Sequence, residues 1–481
     1  MKRAVKYTLF AVLLLPVLFW LLSEIMMMVL ELDPPKVQQM NLVADSVQIK
    51  DGLRVFGNNW YGQNGGGHWE AFIEGKPYER GRVFGLLAEQ EIVSQEDAFV
   101  GQIKRLVPSE GFLKTLKYGV VFFNRNLDDH VPLELQKEIY GVSRSFADKY
   151  DFIGEKYSRI LNYHAAHDIG HALQDLSIVG CSSFAVWDGF SEDSSLIVAR
   201  NFDFYMGDEF AKNKLVLFTK PDSGFAFASV TWAGFMGVVS GMNEHGLTVT
   251  LNAAKSEIPD GAKTPISILA REILQYAKNI DEAYEIARAR QTFVSESILI
   301  GSAEDHSAAV IEKSPDRIDI YRSANSQLIC TNHYQSDEFK DDEVNLLNIR
   351  NSDSEYRYKR LSQMIERDSA INLTSAVEIL RNQRGLDDAD LGMGNPKAIN
   401  QLLAHHGIVF QPEKRLMWVS ANPFQLGDFY CYDLNRIFSS EKKAGYASVD
   451  SLKIDADPFM NSEDFAKFLR YKELKNLLFE N

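Results

Sequence analysis

The feature that most restricts the fold of this chain is a change of texture at residue 181. From Val83 to about Ile178 the apolar residues recur mostly every three or four positions, the spacing of helices that bury one face. Beyond Cys181 the pattern becomes short apolar runs divided by turn residues, at 184–187, 196–199, 215–218, 225–228 and 237–251. Helical spacing returns at 265–290 and 355–385, and strand-like runs at 297–311, 317–321, 328–331, 408–410, 415–420 and 428–434. Ahead of the helices, 36–60 reads as a linker entering strands, with a turn at Asp51-Gly52, and 69–75 alternates like a strand. Strands, helices and strands again predict a layered α+β domain.

Charge and cysteine usage narrow the function. Fifty-one Lys and Arg stand against 66 Asp and Glu, a net charge of −15. Such a chain lacks the basic surface that supplies most nucleic-acid affinity, so nucleic acid is not an expected partner. The three cysteines, Cys181, Cys330 and Cys431, exclude a disulfide framework and a four-cysteine zinc site. An odd number leaves at least one thiol free, and the pairing of Cys330 with Cys431 stays open.

The N-terminus points to a membrane. Lys2, Arg3 and Lys6 precede an uncharged apolar run from Tyr7 to Leu22, a second run spans 25–30, and Glu31 and Asp33 follow. Positive charge before and negative charge after the run favour a cytoplasmic N-terminus with the remainder exported. Residues 1–35 are read as a signal anchor contacting the membrane through 7–30, or as a cleaved signal peptide. The first run alone is short for a span of about 20 residues, and no small-residue cleavage site follows it. In either case residue 36 onward faces an extracytoplasmic compartment, periplasmic or extracellular.

The most informative stretch is Ser177-Ile178-Val179-Gly180-Cys181-Ser182-Ser183-Phe184, followed by Ala199-Arg200-Asn201-Phe202-Asp203. A lone cysteine in apolar surroundings is usually a small buried hydrophobe. If 184–187 and 196–200 pair as a hairpin, however, Arg200 and Asp203 return beside Cys181. A cation there lowers a thiol pKa, and a carboxylate orients an amine or a substrate N–H.

These two stretches resemble the N-terminal-nucleophile hydrolases, in particular the isopenicillin-N acyltransferase-like family with the choloylglycine hydrolases and phospholipase B-like proteins. Glu74-Gly75-Lys76-Pro77-Tyr78-Glu79-Arg80-Gly81 is similar to the family's propeptide signature. Gly241-Met242-Asn243-Glu244-His245-Gly246-Leu247, with Leu251-Asn252 after it, resembles its Gly-x-Asn-Glu-x-Gly-Leu turn. Thr331-Asn332-His333 and Ser354-x-x-Arg357-Tyr358-x-Arg360 follow in the family's order.

The resemblance implies a four-layer αββα sandwich, two antiparallel sheets between helices. It implies a largely helical pro-region over 36–180 and a catalytic chain over 181–481, made by self-cleavage of the Gly180–Cys181 bond, the two products staying associated. Cys181 then carries both the attacking sulfur and a free α-amine, whose pKa of about 7.7–8.0 suits it to take the thiol proton without a separate histidine. The reaction implied is hydrolysis or acyl transfer at linear amides of small molecules or lipid-like substrates, with no cofactor. By the same resemblance Arg200 and Asp203 flank the cysteine, Asn332 and groups near Asn252 hold the oxyanion, and Arg357 or Arg360 supplies a second arginine. Taken singly, Asn332 is an ordinary turn residue and Arg357 and Arg360 a solvated helix face; Asn243-Glu244-His245-Gly246 is read as a structural hairpin.

A rival constellation lies upstream. His164, His167, Asp168 and His171 fall at i, i+3, i+4 and i+7, one face of a helix, with residue types that bind metals. Against this, Gly170 costs a helix about 1 kcal/mol, and the His-Glu-x-x-His order of zinc proteases is absent. The remaining alternative is an envelope binding protein that keeps the fold without catalysis.

Overall fold

Two β-sheets lie face to face because their strands carry apolar residues on both sides. The computed structural model describes residues 30–40, 46–107, 109–173, 180–255, 261–368, 370–439 and 444–480, with scattered positions between 14 and 24. Four strands come first: β1 (Gln48–Lys50), β2 (Leu53–Phe56), β3 (Asn59–Gln63) and β4 (Trp69–Gly75). Helices α1 (Pro77–Leu87), α2 (Glu89–Leu106), α3 (Glu110–Phe123), α4 (Leu133–Ser143) and α5 (Lys156–Leu173) follow. The hairpin β5 (Ser182–Val186) and β6 (Ile197–Phe202), the short helix α6 (Asp208–Lys212), and strands β7 (Leu215–Pro221), β8 (Phe227–Thr231), β9 (Ser240–Asn243) and β10 (Leu247–Ala253) come next. Helices α7 (Ile266–Tyr276) and α8 (Ile280–Arg288) precede β11 (Glu296–Ser302), β12 (Ser307–Lys313), β13 (Ile318–Arg322) and β14 (Gln327–Cys330). After α9 (Glu343–Asn351), α10 (Ser354–Arg367) and α11 (Leu373–Arg381) come β15 (His406–Gln411), β16 (Leu416–Ser420) and β17 (Phe429–Asp433).

The larger sheet has the order β1-β2-β3-β4-β7-β8-β9-β10-β11-β12-β13, and the smaller one β14-β5-β6-β15-β16-β17. Period-two alternation assigns each strand's side chains to two interfaces. Ala185 and Val198 of the small sheet meet Val230, Leu299 and Val310 of the large one. Ile298, Ile300, Ala309 and Ile311 face away, against Ile273, Leu274 and Ala283 of α7 and α8. On the far side, Phe184, Val186, Ile197 and Ala199 pack on Leu361, Ile365 and Val377 of α10 and α11. Helix, sheet, sheet, helix: the expected αββα layering is present.

The segments before and after residue 180 share one sheet. Although helices fill 77–173, strands β1–β4 belong to the large sheet, and β4 pairs in parallel with β7 from Trp69↔Leu215 to Gly75↔Pro221. Alternation over 69–75 showed a strand; its partner, 146 positions on at the first pair, had no local signal. Arg80, in the propeptide-like stretch, is fully buried and joins α1 to α4 through Glu138 at 2.7 Å and Glu134 at 3.0 Å. Glu138 also meets Arg271 of α7 at 3.2 Å, so a buried charge cluster ties the segment before residue 180 to the segment after it.

All three cysteines are free and buried. Cys330 sits on β14 and Cys431 on β17, the opposite edges of the six-stranded sheet, with strands spaced about 4.8 Å apart; they do not pair. Among the described residues no helix is long and apolar enough to cross a membrane, and the run at 7–30 lies almost entirely outside those residues.

Candidate active site

The hairpin register builds the centre. Strands β5 and β6 pair with Ser183 opposite Arg200 and Ser182 opposite Asn201. Alternation then turns Arg200, like Val198, into the space between the sheets, and Asn201, like Ala199, outward. Asn201 uses the outward position to hold the carbonyls of Leu380 and Ile399 with its amide, at 2.8 and 3.0 Å. Arg200 reaches inward: its guanidinium donates to the Val239 carbonyl at 2.8 Å, to Ser240 Oγ, to the Leu251 carbonyl and, at 3.6 Å, to Cys181 Sγ.

Cys181 and Gly180 are buried, and the peptide joining them is gripped from the helical layer. Arg357, one turn into α10, places Nη1 2.8 Å from the Gly180 carbonyl oxygen, 2.7 Å from the Cys181 carbonyl oxygen and 3.0 Å from Ser182 Oγ. Its Nη2 donates to Asn332 Oδ1 at 2.9 Å. Arg360, three residues on, turns away to Asp388 at 2.6 Å and to Asn382. Of the two arginines, Arg357 is the one beside Cys181. Both arginines are buried, which corrects the solvated-face expectation.

Asn332 is fixed on every side. Its backbone N–H donates to Ser354 Oγ at 2.7 Å, its amide to the Ala253 carbonyl at 2.9 Å, and its own carbonyl accepts from Asn348 at 2.6 Å. Asn252 bridges the sheets instead, its amide donating to the Cys330 carbonyl at 3.0 Å and its oxygen accepting from Ser183 Oγ at 2.8 Å. Asn243 caps a turn: its oxygen accepts from the N–H groups of His245 and Leu247, and its amide holds the end of α7 through Leu274 and Ala277. That is the structural role read from its sequence.

Electrostatics in the centre follow from burial. Burial pushes the Cys181 thiol above its ordinary value, and the Arg200 charge only partly opposes this. A thiol so placed is protonated at neutral pH and needs a proton acceptor. Burial also raises Asp203, to about 7, against the pull of Arg357 and then Arg200. Asp203 is close enough for its charge to act on the thiol, and its Oδ1 is buried without a hydrogen bond. A carboxyl with these properties exchanges a proton near neutrality.

The metal reading of the upstream histidines is corrected at His164. The Met236 N–H donates to its Nε2 at 2.8 Å, so Nδ1 carries the proton and donates to the Ile160 carbonyl at 2.8 Å. Neither nitrogen has a lone pair for a metal. Asp168 accepts from the Ile266 N–H at 2.8 Å at the start of α7. The side chains of His167 and His171 lie outside the described residues, and among those described no group of three metal-binding side chains occurs. This helix face docks α5 on α7.

Sequence reasoning missed Gln401. Its Nε2 donates to the Gly180 carbonyl at 2.8 Å and lies 3.5 Å from Asp203 Oδ2. It sits in a coil 221 positions from Gly180, where no spacing or motif marks it. Ser354 and Ser240, which hold Asn332 and Arg200, were likewise unassigned.

A cysteine beside an arginine at the head of an inner strand, in an αββα sandwich, is the arrangement that the resemblance to the N-terminal-nucleophile hydrolases implied. More narrowly, residues 190–422 match the family described as acyl-coenzyme A:6-aminopenicillanic acid acyl-transferase. The matched segment covers Arg200, Asp203, Asn252, Asn332, Arg357 and Gln401 and begins after Cys181. An uncharacterised protein of Archaeoglobus fulgidus is 26% identical over 53% of this chain and 45% of its own length. Protein dcd1A of Dictyostelium discoideum is 25% identical over 52% of this chain and 59% of its own. The chain thus spans about half the length of these curated relatives. Among solved structures, penicillin V acylase from Agrobacterium tumefaciens aligns at 16% identity and a TM-score of 0.39, covering 58% of this chain and 98% of the other. The Caenorhabditis elegans orthologue of N-acylethanolamine-hydrolyzing acid amidase aligns at 19% and 0.33, covering 48% and 93%.

Proposed function

We propose that this chain is the precursor of an amide hydrolase or acyltransferase that cuts itself between Gly180 and Cys181 and then uses the Cys181 thiol on linear amides. The observation that carries the reading is the clamp on that one peptide: Arg357 on the Gly180 and Cys181 carbonyls, with Arg200 3.6 Å from the sulfur. Burial does not oppose the first cut, because the attacking atom and the carbonyl belong to adjacent residues.

In the first cut the ionised Asp203 takes the thiol proton and the sulfur bonds to the Gly180 carbonyl carbon. The oxyanion collapses, the C–N bond breaks, and the Cys181 nitrogen leaves as an amine with the proton returned by Asp203. Water then hydrolyses the thioester, giving a Gly180 carboxylate and a free Cys181 thiol. The new α-amine, with a pKa of about 7.7–8.0, serves later turnovers as the base. The thiol attacks the substrate carbonyl, the leaving amine departs protonated, and water or a second amine takes the acyl group. The continuous β4–β7 ladder and the Arg80–Glu138–Arg271 cluster would hold the two cut chains together. The charged-flanked apolar run at 7–30 supports a membrane-anchored or secreted protein working outside the cytoplasm on small-molecule or lipid-like amides.

The test is intact mass and N-terminal sequencing of the native protein beside a Cys181→Ala variant. The reading requires a fragment beginning at Cys181 in the first and an uncut chain without amidase activity in the second. A Cys181→Ala chain cut at the same bond, or active, would refute it.

A further inference from the structure

We infer that Gln401 is a catalytic residue of the self-scission proposed above, the second donor to the Gly180 oxyanion, and that the residue before Cys181 is glycine because Gln401 occupies the space of a side chain there. Two donors approach the Gly180 carbonyl oxygen, Arg357 Nη1 at 2.8 Å and Gln401 Nε2 at 2.8 Å. Preorganised donors at 2.7–3.1 Å from a developing oxyanion accelerate the attack, one such donor contributing about 10²–10³ in rate. As the carbonyl carbon becomes tetrahedral, negative charge grows on the atom that both groups already touch.

Gln401 is held for this task rather than left on a mobile loop. Its neighbour Asn400 accepts the Leu402 N–H at 2.9 Å and donates to the Phe424 carbonyl at 3.0 Å, while the Asn400 N–H donates to the Asn382 carbonyl at 2.8 Å. Two positions back, the Ile399 carbonyl is pinned by Asn201, on the strand that leads to Asp203. The coil is therefore hydrogen-bonded directly to the hairpin that carries Arg200.

Gly180 supplies the independent observation. Its backbone is not in the left-handed region that favours glycine, so conformation does not require it. Space does. A Cβ added at residue 180 would lie 2.3 Å from Gln401 Nε2 and 2.8 Å from its Oε1. Any larger residue displaces the carboxamide from the carbonyl it donates to. The identity of residue 180 and the placement of Gln401 are thus one constraint.

The experiment follows the rate at which full-length chain is converted to the fragment starting at Cys181, by gel and intact mass, for Gln401→Ala, Gln401→Glu, Gly180→Ala, the Gly180→Ala/Gln401→Ala pair and Cys181→Ala. Gln401→Ala and Gly180→Ala should each slow scission about 10²–10³-fold, and the pair should be no slower than Gln401→Ala alone, since both changes remove the same donor. Gln401→Glu keeps the shape but replaces the donor by an ionised acceptor. It should be at least as slow at neutral pH and should regain rate relative to wild type in acid, where the protonated carboxyl can donate. If Gln401→Ala fails to fold, as judged by thermal unfolding against Cys181→Ala, Gln401→Glu decides. Scission of the folded variant within threefold of wild type at neutral pH overturns the role of Gln401. Scission of Cys181→Ala at the same bond instead overturns the self-cleaving reading as a whole, so the two failures are distinguishable.

Discussion

Arg357 Nη1 stands 2.8 Å from the oxygen of Gly180 and 2.7 Å from that of Cys181, so one guanidinium spans both carbonyls flanking the Cys181 nitrogen and side chain. Helix α10 brings it there from the outer layer while Asn332 holds its other nitrogen. A planar fork is needed to hold Asn332 with Nη2 while Nη1 serves the two carbonyls, because a lysine ammonium is a single point charge. Arg357→Lys should slow the appearance of the fragment beginning at Cys181 by about 10²–10³-fold, measured on quenched time points by gel. An unaltered rate would remove Arg357 from the scission step.

Asp203 sets the pH dependence. Its carboxyl is raised by burial to about 7, and only the ionised form accepts the thiol proton. Scission should therefore be slow in acid, rise with pH and reach half its plateau near pH 7. Asp203→Asn should abolish that limb and most of the rate. A profile that is flat between pH 5 and 8 would exclude Asp203 as the acceptor.

Asp168 governs stability in the opposite direction. Burial raises its folded pKa to about 8, whereas an unfolded chain ionises it near about 3.9. Between these values the unfolded state holds fewer protons, so stability falls as pH rises from about 4 to 8 and levels off above. Asp168→Asn should lessen that decline while still accepting the Ile266 N–H. Urea midpoints of Cys181→Ala and of Cys181→Ala/Asp168→Asn at pH 5 and 8 compare the two slopes directly; equal slopes would contradict the assignment.

Glu138 is the centre of the charge cluster joining α1, α4 and α7. Burial opposes its ionisation, but Arg80 and then Arg271 hold its carboxyl below the ordinary range. Glu138→Gln leaves two buried guanidiniums short of their counter-charge and should cost about 3–5 kcal/mol, read from denaturant unfolding in the Cys181→Ala background. In the cut protein the same change should loosen the association of residues up to 180 with the remainder, seen by size exclusion. A change below about 1 kcal/mol would show the cluster to be dispensable.

The sequence by itself determined the layers. Short continuous apolar runs after residue 181 specify strands buried on both faces, and three-to-four spacing specifies the helices that cover them. It also offered the hairpin as a possibility: 184–187 and 196–200 do pair, and the pairing returns Arg200 to Cys181. The order of Cys181, Arg200, Asp203, Asn332 and Arg357 carried the family resemblance.

Only the tertiary structure placed Arg357 rather than Arg360 beside Cys181, since three residues on a helix separate them too little for spacing to choose and their partners come from distant segments. It alone showed His164 to be spent on Met236 and Ile160 rather than free for a metal, and β4 to be paired with β7 across 146 positions. Gln401 is the extreme case. A carboxamide in a coil acquires its meaning from the carbonyl it reaches, and that carbonyl is brought to it by packing between a sheet and a helix layer, which no run of neighbouring residues encodes.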